Sequence, residues 1–162
     1  MPVAPGARED VIVFTVGGFS LAISAYAVSE IRSLEGLQPF SPGPECQCPG
    51  KVRSTLHRNG SLYFVVDAAR QFNLPAARPG RVLILRLAAT AVLVDSTDRM
   101  AEITVLHALP LAFHGEERRW YRGLAMFGEE VVPVVNHQAF LTGTELDAVR
   151  SAAVYTKGVA VV

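Results

Sequence analysis

Cys46 and Cys48 stand one residue apart in a proline-rich loop, with His57 a short distance downstream. Thiolates and an imidazole are soft-metal ligands, so chemistry could begin here. Structural zinc sites usually take four ligands, with cysteines two to four residues apart. C-x-C with one histidine falls short in number and in spacing. The four histidines His57, His107, His114 and His137 lack the H-x-x-x-H spacing of a helical metal site. Neither metal nor any other cofactor is expected. Asp67 and Asn136 each follow an apolar run, but a general acid–base pair needs two titratable groups and asparagine does not titrate. Both side chains suit a helix N-cap instead. No G-x-S-x-G elbow, Walker loop or G-x-G-x-x-G turn occurs, so no catalytic residue is assigned and no enzyme activity is expected.

Arg118-Arg-Trp-Tyr-Arg122 interleaves cations with aromatics, as a surface that stacks on bases does. It stands in a chain whose fifteen Lys and Arg are balanced by fifteen Asp and Glu, and Glu116 and Glu117 adjoin it. A polyphosphate partner calls for a basic excess, so nucleic acid is not expected. A loop anchored by its aromatics, or a protein contact, fits better. Half of the 162 residues are hydrophobic and only 19% are charged. That leaves surface suited to cover by other proteins. No targeting segment is visible at Met1–Gly6. The longest apolar stretch, Val82 to Val94, is interrupted by Arg86 and is too short to cross a bilayer, so no membrane insertion is expected. Cysteines one residue apart rarely bridge, and two free thiols in a reducing cytoplasm are expected.

Short strands must position whatever functional residues exist. Val11 to Val16, the turn at Gly17-Gly18, and the alternation of Phe19, Leu21 and Ile23 with small polar residues predict a hairpin. Val28 to Leu34 extends it. Gln38 to Gly50, rich in proline and glycine, reads as irregular. Val52 to Leu56 and Leu62 to Val66 flank the turn pair Asn59-Gly60, and Asp67 opens a short helix from Ala68 to Phe72. Val82 to Leu87, Ala91 to Asp95 and Arg99 to Val105 are further strands, and Leu109 to Trp120 reads as a long loop. Gly123 to Phe127 and Val131 to Val135 form a last hairpin, with helical stretches over His137 to Leu141 and Thr144 to Ala153. Val154 to Val162 reads as an added strand or a tail.

This plan occurs twice. Val11–Val16 is matched by Val82–Leu87, Leu21–Ile23 by Val92–Val94, and Val65–Asp67 by Val134–Asn136, all at an offset of roughly 70 residues. That is too long for a solenoid unit and long enough for a duplicated β-subdomain. Two sets of about five short strands predict two small barrels.

The residues resemble the CheW-like family, adaptors that couple bacterial chemoreceptors to the CheA histidine kinase. The resemblance runs from about Val11 to Leu141. It is carried by the hairpin Val13–Ile23, by Val28-Ser-Glu-Ile31 (similar to V-x-E-I), and by Pro49 and Val52 ahead of Gly60. The family's N-L-R-G-x-x-x-P-V-V-D-L-R corresponds to His57–Ala69. Val92–Asp95, Gly123–Gly128, Val131–Asn136 and Phe140-Leu141 complete it.

The resemblance implies a mostly β fold of two five-stranded SH3-like barrels with a pseudo-twofold relation and few short helices. It implies a flexible arm over 1–9, a single domain over 10–153 with subdomains at about 10–77 and 81–141, and a C-terminal helix and tail over 142–162. It also implies a non-catalytic, cytoplasmic adaptor recruited to membrane receptor arrays. The implied partners are the regulatory domain of a CheA-type kinase and a chemoreceptor cytoplasmic tip. The implied contact residues are Val28, Glu30 and Ile31, with Arg58, Asn59 and Gly60 opposite. The chain departs from the family pattern where Asn59 replaces the arginine of N-L-R-G, Phe64 replaces the proline, and Ala69 replaces the arginine of D-L-R. Arg58 stands one position early, which implies weakened binding to ordinary receptor tips. The alternatives are a metal or small-molecule sensor using the Cys46–Cys48 loop and a small-barrel RNA-binding module.

Overall fold

The computed structural model describes residues 7–75 and 78–161, with side chains placed through residue 153. Strands come first: β1 (Glu9–Val16) and β2 (Phe19–Ser24), then a 3-10 turn at Ala25–Ala27, β3 (Val28–Arg32), β4 (Gln38–Pro39), β5 (Val52–Arg58) and β6 (Ser61–Asp67). A short helix α1 (Ala68–Gln71) closes the first repeat. β7 (Arg81–Leu85), β8 (Thr90–Val94) and β9 (Ser96–Ile103) follow, then helix α2 (Glu117–Trp120), β10 (Tyr121–Phe127) and β11 (Glu130–Val135). A 3-10 turn at His137–Ala139 leads to the terminal helix α3 (Gly143–Val161).

Asp67 and Asn136 cap their turns as their chemistry predicts. Asp67 Oδ1 accepts from the Ala69 N–H at 3.1 Å, and Asn136 Oδ1 accepts from the Gln138 N–H at 3.2 Å. The N-terminal arm is shorter than expected, because Glu9 already pairs with Ile103; residues 1–6 of that arm lie outside the described residues. The proline-rich segment is not wholly irregular. Gln38 and Pro39 add a two-residue edge strand opposite Thr55 and Ser54, where a proline's missing N–H removes no ladder bond. The expected long loop contains α2, and the Val154–Val161 stretch continues α3 instead of adding a strand. Cys46 and Cys48 are joined to each other rather than free. Their Cα atoms are 5.2 Å apart, inside the range a disulfide spans.

The strands make two sheets, ordered β10-β11-β2-β1-β9 and β3-β7-β8-β6-β5-β4. Leaving β4 aside, the two orders become the same when β1, β2, β3, β5 and β6 are exchanged for β7, β8, β9, β10 and β11. Even the rare parallel contacts correspond: β11 runs parallel to β2, and β6 runs parallel to β8. Each sheet therefore takes the leading hairpin of one repeat and the three remaining strands of the other. The repeats at about 10–77 and 81–141 are units of sequence, and both sheets cross that boundary.

The chain changes sheets at two crossovers. One is the 3-10 turn at 25–27, where the Arg86 N–H donates to the Ala27 carbonyl at 2.8 Å. The other is the single residue Asp95. Its N–H donates to the Thr15 carbonyl at 3.0 Å, and its carboxylate accepts from the Gly17 N–H at 2.9 Å.

Strand alternation sorts the apolar side chains into three cores. Val11, Val13, Ala22, Ile103, Ala125, Val132 and Val134 fill the first sheet. Leu56, Val65, Val82, Ile84 and Ala91 fill the second. The opposite faces meet in a larger core with Ile12, Phe14 and Ile23 from one sheet and Phe64, Leu83 and Val92 from the other. Phe72, Phe140 and Val149 from the helical connections seal it. One small core per barrel, and a dominant one between them, makes the barrels mutually dependent.

Candidate partner-binding site

β3 is the outer strand of the second sheet and pairs only with β7. The first sheet closes on itself through backbone: His107, beyond β9, exchanges two 2.8 Å hydrogen bonds with Leu124 of β10. The second closes across its seam through side chains. Glu30 on β3 pairs with the Arg58 guanidinium at the end of β5, and its other oxygen lies 3.8 Å from Arg32 Nε. The three side chains are 35%, 28% and 30% exposed, so they stand at the rim. The proposed contact residues Glu30 and Arg58 are thereby brought together.

Asn59 and Gly60 form the tip of the β5–β6 hairpin, with φ of 50° and 79°. Two consecutive positive φ values are the signature of a type I′ turn, which favours Asn-Gly. The turn explains the displaced cation: an arginine at 59 would sit in the left-handed region, whereas one position earlier, on the strand, Arg58 reaches Glu30. The remaining expected contacts divide. Ile31 is 43% exposed on the outer face of β3, but Val28 is 7% exposed and belongs to the inter-barrel core. Val28 therefore supports the strand from within and is not a surface contact. Sequence reasoning missed Tyr26, which is 83% exposed. Arg86 pins it, donating through Nε to the Tyr26 carbonyl at 2.8 Å with its guanidinium carbon 5.7 Å from the ring centre. An aromatic between two alanines just ahead of Val28 was the available signal.

The other candidate chemistries are absorbed by structure. Arg118 Nη1 donates to the carbonyls of Pro110 and Phe113 at 3.1 and 2.8 Å, and Arg122 Nη1 pairs with Glu9 Oε2 at 2.8 Å. Trp120 and Tyr121 pack on Phe72. Burial, and secondarily the charge of Glu117, pushes the Tyr121 phenol up to about 12. Burial, and then Arg122, hold the His137 imidazole below its ordinary value. This run braces the helical connections and does not present a basic stripe. A cleft of about 770 Å³ lies beside it, but Lys51 on its wall is held by Gln71 Oε1 at 2.7 Å and Glu145 Oε1 at 3.1 Å. Among the described residues no three His, Cys, Asp or Glu side chains are grouped to hold a metal. No helix there is long and apolar enough to cross a membrane.

The model of the CheW-like domain matches residues 10–145. The chain belongs to the CheW-like family. Its fold is also that of the crystal structure of the scaffolding protein TtCheW from Thermoanaerobacter tengcongensis. The two share 15% sequence identity and a TM-score of 0.68, over 88% of this chain and 90% of that one. Among curated proteins none matches. The fold is thus the CheW arrangement of two SH3-like barrels, with five strands in one sheet and six in the other. As a CheW-like protein the chain is a non-catalytic scaffold of chemotaxis-type signal transduction.

Proposed function

We propose that this protein holds the cytoplasmic tip of a chemoreceptor against the regulatory domain of a CheA-type histidine kinase, in the cytoplasm at membrane receptor arrays. The observation that carries this reading is that exposed apolar side chains lie on both barrels, as a two-partner adaptor needs. On the second, Tyr26 just ahead of β3 and Ile31 within it are exposed, and Glu30 of the same strand pairs with Arg58 beside the Asn59-Gly60 turn. Exposed apolar anchors beside a charged pair suit an amphipathic helix, and we assign this face to the receptor. On the first, the outer side of the β10–β11 hairpin carries the cross-strand pairs Leu124–Pro133 and Met126–Val131, with Met126 and Val131 each 50% exposed. We assign that face to the kinase domain.

Two single substitutions test the assignment. Ile31→Asp should weaken titration by a receptor-tip peptide about tenfold, the effect of losing one apolar anchor, while binding of the kinase regulatory domain stays unchanged. Met126→Asp should show the reverse. Val28→Asp is the wrong probe, because a carboxylate in the core destabilises the fold by about 4 kcal/mol whatever it does to binding. Retention of both partners by both surface variants would overturn the assignment.

A further inference from the structure

We propose that the Cys46–Cys48 pair is a redox-modification site whose co-reactant is a dithiol, and that its state sets how firmly the proline-rich loop clamps α3. Its first support is that the bridge does little for global stability. A disulfide stabilises by closing a long loop in the unfolded chain. This one joins residues two apart in sequence, so it removes almost no unfolded-state freedom and acts only on local shape.

The second support is where that local shape is applied. Both sulfurs sit over α3, 4.0 and 3.6 Å from the Ala148 carbonyl oxygen. Cys48 packs against the inter-barrel core, whereas Cys46 lines a hollow of about 510 Å³ between the loop and Ala148, Ser151 and Ala152. A reductant therefore has an approach to Cys46, and the loop's seat on the helix depends on the bridge. The third is how the described part of α3, residues 143–153, is held on its other sides. Thr142 and Glu145 cap its start reciprocally at 3.2 and 3.0 Å, Lys51 pairs with Glu145, and Leu146, Val149 and Ala153 face the core.

The exchange balances. A thiolate of the dithiol attacks Cys46 Sγ and forms a mixed disulfide, and the electron pair of the broken bond leaves on Cys48 Sγ, which takes a proton from water. The second thiol of the reductant then attacks its own sulfur in the mixed disulfide and releases Cys46. Two cysteine thiols result, with one disulfide in the oxidised reductant. Opening the ring lets the loop relax away from Ala148.

The test compares the full chain after diamide and after dithiothreitol. Thiol alkylation should find none free after diamide and both free after dithiothreitol. Amide hydrogen exchange over residues 143–153 should be about fivefold faster in the reduced protein, while exchange in β1 and β7 stays unchanged. A Cys46→Ser/Cys48→Ser variant should exchange at the reduced rate under both treatments. Free thiols that survive diamide, or identical exchange of α3 in the two states, would overturn the proposal. So would a response to dithiothreitol that persists in the serine variant.

Discussion

Asn59 shows how a backbone angle can relocate a functional charge. With φ at 50°, the position suits asparagine and penalises a longer side chain. Asn59→Arg, which would restore the family's usual residue, is expected to destabilise the protein by about 1 kcal/mol in urea unfolding. It is expected to add nothing to receptor-peptide affinity, because Arg58 already supplies the guanidinium beside Glu30. A second residue-scale expectation concerns acid stability. His137 has a folded pKa below its ordinary 6.5, through burial and then Arg122. The folded state therefore resists protonation. Its contribution is complete above the ordinary value and is lost as pH falls from about 6.5 through the lowered value. His137→Gln should flatten thermal stability against pH in that window, leaving the slope at lower pH to the carboxylates. The Asn-Gly turn was legible in the sequence. The arginine's place opposite Glu30 was legible too, with pairing to Glu30 or to a docked helix both open; counting positions could not decide between them, and the structure pairs Arg58 with Glu30.

At the scale of elements, the two sheets close differently. The first needs close backbone approach between the segment after β9 and β10. A Cβ at Gly123 would run into the His107 carbonyl oxygen and come 2.8 Å from Leu106 Cγ. Gly123→Ala is expected to cost about 2 kcal/mol by overpacking, read as a lower urea midpoint with unchanged slope. Strand identity was legible from alternation, hairpin turns from Gly17-Gly18 and Asn59-Gly60, and helix starts from Asp67 and Asn136. Other elements were not. The four residues of α2 are too few to show a helical period. The end of α3 is rich in valine, which periodicity reads equally well as strand. The 5.2 Å Cα separation at Cys46–Cys48 is set by the backbone angles of Gln47, which composition does not encode.

For the whole molecule, alternation tells which face of a strand is buried and says nothing about which strand lies beside it. The duplication was therefore visible, while the exchange of leading hairpins was not. Its consequence for folding is direct. A fragment ending near residue 80 contains β1 and β2 without β9, β10 and β11, and contains β3, β5 and β6 without β7 and β8. Neither residues 1–80 nor residues 78–162 should show a native near-ultraviolet spectrum alone, whereas mixing the two should restore it. A native spectrum from either half alone would contradict the mutual dependence of the barrels.

Two separate copies of a single repeat could reach the same pairing by trading leading hairpins, as a swapped homodimer does. Such a dimer dissociates on dilution, and its folding carries the entropy of bringing two chains together. Here the linker between β6 and β7 makes the second repeat permanently present at a high effective concentration. The exchanged hairpins thus obtain a dimer's large shared core with a monomer's indifference to copy number. For a scaffold this matters, because its own integrity no longer competes with the concentration-dependent contacts it makes to others.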